Sequence, residues 1–163
     1  MSEVERAQQA VTPVSDVMTR DVLTVTPEQP VESAVSLIVE HRITGLPVVD
    51  HDRRCVGIVS ESDVLGKRGR TVAEIMTTDV IAVEEDLSLA EAAEIMLTRR
   101  IRRLPVTREG RLVGILTRMD LLRYFGQTHW ACQWCGHVER GLRPPNACPS
   151  CGGETWTFSV EVR

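Results

Sequence analysis

Four cysteines near the C-terminus are spaced for metal binding. Cys132-Gln133-Trp134-Cys135-Gly136 and Cys148-Pro149-Ser150-Cys151-Gly152 are two C-x-x-C pairs separated by 12 residues. Two such pairs can bring four thiolates around one tetrahedral ion. The glycine after each second cysteine permits a tight turn whose N–H groups bond the sulfurs. Disulfides and redox-active pairs are the competing uses of this spacing. The opening residues Met1-Ser2-Glu3-Val4-Glu5-Arg6 lack a basic-then-apolar secretion pattern, and neither pair sits in a thioredoxin-like β–α context. Zinc is the default ion for four sulfurs, with iron in the same geometry as the alternative. His129 and His137 lie near the first pair, but four cysteines complete the shell and both histidines read as surface residues. Cys55 has no partner in sequence and reads as a small buried apolar residue.

A second chemical signature occurs twice. Val56-Gly57-Ile58-Val59-Ser60-Glu61-Ser62-Asp63 is matched by Val113-Gly114-Ile115-Leu116-Thr117-Arg118-Met119-Asp120. Each is an apolar run holding a glycine, closed by a hydroxyl residue with a carboxylate three positions later. A carboxylate accepts hydrogen bonds from two vicinal hydroxyls at once, and such bonds are stronger than neutral ones. The helix that the hydroxyl opens offers free N–H groups and a positive dipole end to a phosphate. The same pattern also describes a helix N-cap with an acidic third residue, worth about 1 kcal/mol. The two roles are compatible.

The elements around these signatures repeat as well. Met18-Thr19-Arg20-Asp21-Val22 matches Met76-Thr77-Thr78-Asp79-Val80, and Arg42-Ile43-Thr44-Gly45-Leu46-Pro47-Val48 matches Arg100-Ile101-Arg102-Arg103-Leu104-Pro105-Val106. The offset is 58 up to the prolines and 57 after the turn at 50–54, so the one-residue difference falls in a loop, as a true duplication should show. Leu89, Ala92, Ala93 and Met96 mark one helix face, and Ser88 with Glu91 makes a capping box at its start. Val31, Ala34, Val35 and Ile38 repeat that spacing after Pro30. Leu46–Val49 and Val56–Val59 read as buried strands joined by a turn, with a further helix after Ser60 and after Thr117. The expected fold class is α/β (α+β): tandem β-α-β-β-α repeats, each with a first strand near Val22–Val25 or Val80–Val83. A unit of about 55 residues buries little surface alone, so the repeats should pack as one body.

Composition sets the limits. The 163 residues are 42% hydrophobic, too apolar for disorder, and no run approaches the roughly 18 apolar residues of a membrane helix. A soluble cytoplasmic protein is expected. The net charge of −4 gives no electrostatic ground for nucleic-acid binding. All six aromatic residues and four of the five cysteines lie beyond residue 123, which marks a boundary near Gly126. The expected organisation is an extension over 1–12, repeats over 13–70 and 71–125, and a small β-rich metal domain over 126–163. Thr155–Val162 alternates as its half-buried strand. That domain carries Arg140, Arg143 and Arg163 against Glu139, Glu154 and Glu161, so it has no basic stripe either. Trp134 at the knuckle tip suits a protein contact if exposed, or a small core if not. No nucleophile–base set, catalytic carboxylate pair or open metal site is visible, and no enzyme activity is expected.

The ordered set of Met-Thr openings, Leu-Pro-Val strands and Gly-x-x-Ser/Thr-x-x-Asp endings, found twice over 14–123, resembles the cystathionine-β-synthase (CBS) domain family, whose tandem pair is called a Bateman module. The C-terminal cysteines resemble a zinc ribbon, and the Cys-Pro-x-Cys-Gly half is similar to a rubredoxin knuckle. The first resemblance implies a regulatory module binding adenosine ligands (AMP, ADP, ATP or S-adenosylmethionine) in clefts between the paired repeats, and a homodimer. It implies that Asp63 and Asp120 bond ribose hydroxyls and that Ser60 and Thr117 contact phosphate or ribose. Thr44, Gly45, Arg102 and Arg103 would line the phosphate end, and Val22 and Val80 would wall the adenine. Because Thr44-Gly45 stands where the second copy has Arg102-Arg103, the two clefts should differ in preference or in occupancy. The ligand would change the relative placement of the repeats, and the ribbon would face a protein partner. A rubredoxin-like iron electron carrier with a sensing module and a nucleic-acid-binding regulator are the alternatives.

Overall fold

The computed structural model describes residues 12–160. The extension up to residue 11 and the strand end expected at Glu161 and Val162 lie outside the described residues. A 3₁₀ turn at Val14–Asp16 is followed by α1 (Val31–His41), β1 (Gly45–Val49), β2 (Cys55–Ser60), α2 (Glu61–Gly66) and α3 (Val72–Ile75). Next come β3 (Val83–Glu84), α4 (Leu89–Thr98), β4 (Arg103–Arg108), β5 (Arg111–Thr117) and α5 (Arg118–Gln127). The chain closes with β6 (Thr128–Cys132), β7 (Val138–Glu139) and β8 (Trp156–Val160).

Local chemistry accounts for most of these bounds. Helix α1 starts after Pro30, whose fixed φ suits the position, and stops at Arg42, which is left-handed with φ 52°. Arg100, the same position in the second copy, is also left-handed with φ 55°. Helix α4 carries the expected capping box from Ser88 and Glu91 and buries Leu89, Ala92 and Met96. Helix α3 was not expected from periodicity. Its signal is another capping box, Thr71 with Glu74, over a single turn that buries Val72 and Ile75.

The first strand of each repeat is much shorter than the apolar residues suggested. In the second copy it is Val83–Glu84, parallel to β4. In the first copy it is a single parallel bridge, Val25 to Val48. Val22 and Val80 instead turn back, their N–H groups donating to the carbonyls of Arg20 at 2.9 Å and Thr78 at 3.0 Å. Strands β1 and β2 form an antiparallel hairpin, and β3, β4 and β5 are neighbours in that order in a second sheet.

The opening of each repeat belongs to the other repeat's hairpin. Thr19 bridges Ile115, while Thr77 bridges Ile58. The Met18 thioether lies against Gly114 and the Met76 thioether against Gly57. A side chain at either glycine has no room, since a Cβ on Gly57 would lie 2.6 Å from Met76 Sδ. This exchange explains why the two compact units of the chain are not the two repeats. One comprises residues 18–85 and 103–116, with a core of Val25, Ala34, Leu46, Val48, Val59, Val72 and Ile75. The other comprises residues 12–17, 86–102 and 117–160. Helix α5 runs through Gly126 to Gln127, past the expected boundary, and β6 begins at the next residue. The C-terminal sheet has the order β7-β6-β8, and its core is Trp130, Cys132, Cys148 and Trp156 with Phe158 against them.

Candidate ligand sites and metal centre

At the first hydroxyl–carboxylate pair, β2 ends on Ser60 and α2 begins. Asp63, 8% exposed, turns back on that junction. Its Oδ2 accepts the Ser60 N–H at 2.9 Å and the Ser60 hydroxyl at 2.7 Å. Its Oδ1 accepts the Lys67 ammonium at 2.7 Å and the Thr77 hydroxyl at 3.3 Å. Burial alone would raise the Asp63 pKa, but the bonds from Lys67 and Ser60 outweigh it and hold the carboxyl below its ordinary 3.8.

The second pair repeats the cap and differs around it. Asp120 Oδ2 accepts the Thr117 N–H at 2.8 Å and its hydroxyl at 2.7 Å. Among the described residues, Asp120 Oδ1 has only the exposed Arg123 guanidinium beside it, at 3.8 Å. This carboxylate lines an open cleft of about 280 Å³ with Asp16, Val17, Arg123, Tyr124 and Gln127. Five of the six lining residues, all but Asp120, were not among the sequence candidates. Arg123, Tyr124 and Gln127 follow Asp120 at i+3, i+4 and i+7, so helical spacing alone could have found them. Asp16 comes from the 3₁₀ turn, and nothing local announces it.

The residues ahead of the Leu-Pro strands are brought together in part. Arg103 donates through its guanidinium to the Thr44 hydroxyl and lies over Gly45, where a Cβ would collide with it. Arg102 goes elsewhere: its carbonyl accepts the Arg118 N–H at 3.2 Å, and its side chain is exposed. Arg103 therefore falls in the same compact unit as Thr44, Gly45, Ser60 and Asp63, and Arg102 in that of Thr117 and Asp120. Val22 and Val80 are half-buried.

The four C-terminal cysteines converge. Their Sγ atoms all lie within 4.8 Å of one another. Two contacts join opposite knuckles, Cys132 with Cys151 at 3.7 Å and Cys135 with Cys148 at 3.6 Å. Four sulfurs about 2.3 Å from a tetrahedral zinc are about 3.8 Å apart, so the donor set fits such an ion. The knuckle turns are closed by Gly136 N–H to Cys132 carbonyl at 2.9 Å and Gly152 N–H to Cys148 carbonyl at 2.8 Å. Both glycines have φ near +75°, at 74° and 76°, a region that favours glycine. Burial opposes ionisation of Cys132, yet N–H groups of Cys135 and Trp134 and the nearby thiols bring its pKa down to about 7. For Cys151 the Gly153 N–H favours the thiolate, but the Cys135 thiol and burial push the pKa up to about 12. Neighbouring thiols without a cation resist ionising together. His129 and His137 are half-buried rather than on the surface, but their rings bond Ser159 at 2.7 Å and Glu139 at 2.9 Å, away from the sulfurs. Cys55 is half-buried, with its thiol donating to the Gly57 carbonyl at 3.4 Å. Trp134 is 76% exposed, and Trp130 and Trp156 build the small core instead.

The CBS domain family model matches residues 14–69 and again residues 72–127. The chain belongs to the CBS domain family. Solved CBS pairs share its fold. CBSX2 of Arabidopsis thaliana in complex with AMP is 36% identical, with a TM-score of 0.65, covering 68% of this chain and 93% of that one. The CBS domain pair of protein MJ0100, in complex with 5′-methylthioadenosine and S-adenosyl-L-methionine, is 32% identical with a TM-score of 0.67, covering 71% and 97%. Inosine-5′-monophosphate dehydrogenase of Methanocaldococcus jannaschii is 40% identical over 118 residues, 71% of this chain. The CBS chain spans only 24% of that enzyme's length, and the likeness is to its CBS region and not to its catalytic domain. Among the described residues no helix is long and apolar enough to cross a membrane.

Proposed function

We propose that this CBS protein is a non-catalytic regulator that binds an adenosine nucleotide in its CBS pair and a structural zinc ion in its four-cysteine ribbon. The observation that carries the reading is the cleft at Asp120. A carboxylate with one oxygen that no hydrogen bond from the described residues fills stands at the N-terminal end of a ten-residue helix, beside the guanidinium of Arg123. Vicinal ribose hydroxyls are donors for that oxygen, and Arg123 and the helix N–H groups suit a phosphate. The adenosine ligands of the CBSX2 and MJ0100 structures support the same chemistry. By repeat equivalence Asp63 and Ser60 form the counterpart of Asp120 and Thr117. Thr44, Gly45 and Arg103 are assigned to the phosphate end on the Asp63 side and Arg102 to that on the Asp120 side, with Val22 and Val80 as the candidates for the base. Cys132, Cys135, Cys148 and Cys151 hold the metal, whose role is to fix the ribbon rather than to do chemistry.

The ribbon is the output end. Helix α5 leads without a loop from Asp120 to β6, and Arg140 donates to the Gly126 carbonyl at 2.8 Å, so a ligand that draws on the start of α5 acts on the element that carries the metal domain. The exposed Trp134 at the knuckle tip suits a protein partner. We assign CBS repeats to 13–70 and 71–125 and the ribbon to 126–163. A reducing cytoplasmic setting fits free thiols that bind metal. Exposed apolar residues recur at matched positions, Val39 with Leu97 and Leu65 with Leu122, which fits association into a homodimer.

A thermal-shift panel of AMP, ADP, ATP, S-adenosylmethionine and NAD tests the reading. The expected outcome is stabilisation of the wild type by at least one adenosine ligand and its loss in Asp120→Ala. No shift with any of them would leave the CBS pair as a structural unit.

A further inference from the structure

The two carboxylates are unequally available, and the side chain responsible is Lys67. A carboxylate has about four lone-pair sites. At Asp63 four donors already occupy them: the Ser60 N–H, the Ser60 hydroxyl, the Lys67 ammonium and the Thr77 hydroxyl. Lys67 is itself held in place, because its Nζ also donates to the Ile75 carbonyl at 2.8 Å. At Asp120 the Thr117 cap fills one oxygen, and among the described residues the other meets only Arg123, at 3.8 Å. Of the two extra donors at Asp63, the charged one traces to a single substitution between the repeats. Position i+4 from the carboxylate is Lys67 in the first copy and Tyr124 in the second. The Tyr124 hydroxyl bonds Thr12 instead and its ring lines the open cleft.

We propose that Lys67 is an internal cation that takes the ribose position at Asp63, so that each chain binds a single adenosine ligand, at Asp120. The inference rests on the adenosine reading above and adds which half is open and what closes the other. A ribose diol arriving at Asp63 would have to displace the ammonium. That exchanges a charge-assisted bond for neutral ones and leaves the lysine without its counter-ion. At Asp120 the diol meets an oxygen with room for it. The unlike residues ahead of the Leu-Pro strands are therefore secondary to Lys67 in setting the number of ligands.

Isothermal titration of the full chain with AMP, and with ATP and S-adenosylmethionine as further probes, reads this out. The wild type should take one equivalent per chain, and Asp120→Asn should remove that event. Lys67→Met, and Lys67→Tyr as the residue of the second repeat, should each bind two equivalents while keeping a cooperative thermal transition. Two equivalents in the wild type, or one equivalent in both folded Lys67 variants, would overturn the inference and leave adenosine binding standing. Absence of binding in the wild type and in both Lys67 variants would overturn the adenosine reading and this inference together.

Discussion

Asp63 and Asp120 hold equal places in the sequence and unequal ones in space. Both are third residues of a helix and both bond back to the hydroxyl that caps it. The capping role and the ligand role were each readable from Ser/Thr-x-x-Asp, and the geometry satisfies the first with one oxygen, which leaves the other to decide the second. What fills that oxygen at Asp63 is Lys67, one helical turn on, and Thr77, 14 residues away. The lysine was within reach of helical spacing; the threonine was not. The bonds that depress the Asp63 pKa make a pH signature. A carboxyl whose folded pKa lies below its ordinary 3.8 contributes stability that is fully present above that value and is lost as pH falls through the depressed one. Asp63→Asn should therefore lower stability at neutral pH by roughly 1–3 kcal/mol. The gap to the wild type should narrow progressively as thermal melts are taken to lower pH, through the depressed pKa. A gap independent of pH would mean that the loss is packing rather than charge.

At the scale of elements, the hairpins and every helix except the single turn α3 followed their patterns, because periodicity reports burial along a single segment. The apolar stripe of α4 and its capping box lie where spacing put them. The first strand of each repeat did not, since only Val25 and Val83 are buried, through one bridge and a two-residue ladder rather than a full strand. The glycine inside each Val-Gly-Ile run was visible, but its reason was not: Gly57 receives Met76 and Gly114 receives Met18. Gly114→Ala should overpack that contact and cost about 1–3 kcal/mol in chemical denaturation. Because the collision is with a flexible thioether, Met18→Ala in the same chain should recover part of the loss. A double-mutant cycle should give a coupling of at least about 0.5 kcal/mol, where unlinked sites would simply add. The same swap makes the 18–85 and 103–116 unit depend on residues from both repeats, so neither repeat contains its own complete set of neighbours.

For the whole molecule, the metal domain is the part whose stability rests outside its own core. Two tryptophans, two buried cysteines and Phe158 are too small a cluster to hold some 35 residues together, so on the proposed reading a bound ion would supply most of the folding free energy, about 10 kcal/mol or more for structural zinc. Elemental analysis should find one metal per chain and distinguish zinc from iron. Chelation should change the fluorescence of Trp130 and Trp156 while the far-ultraviolet signal of the CBS helices persists. Cys148→Ser should release the metal to a weaker chelator than the wild type requires. A ribbon that keeps its tryptophan spectrum without metal would show that packing or disulfides, rather than an ion, hold it.

The duplication, the cysteine knuckles and the hydroxyl–carboxylate pairs were all legible because each is a short-range pattern, in which spacing along the chain already fixes which side chains share a turn or a face. Membership in the CBS family follows from those patterns taken in order. Which neighbours complete each site was decided by long-range contacts that leave no such trace. Asp16 joins the Asp120 cleft from more than 100 residues away, Arg102 and Arg103 part company although adjacent, and Thr77 reaches back to Asp63. Two carboxylates in the same Ser/Thr-x-x-Asp pattern thus differ in what they can still bind, because the remaining capacity of a hydrogen-bonding group depends on every donor that the sequence and the fold bring to it.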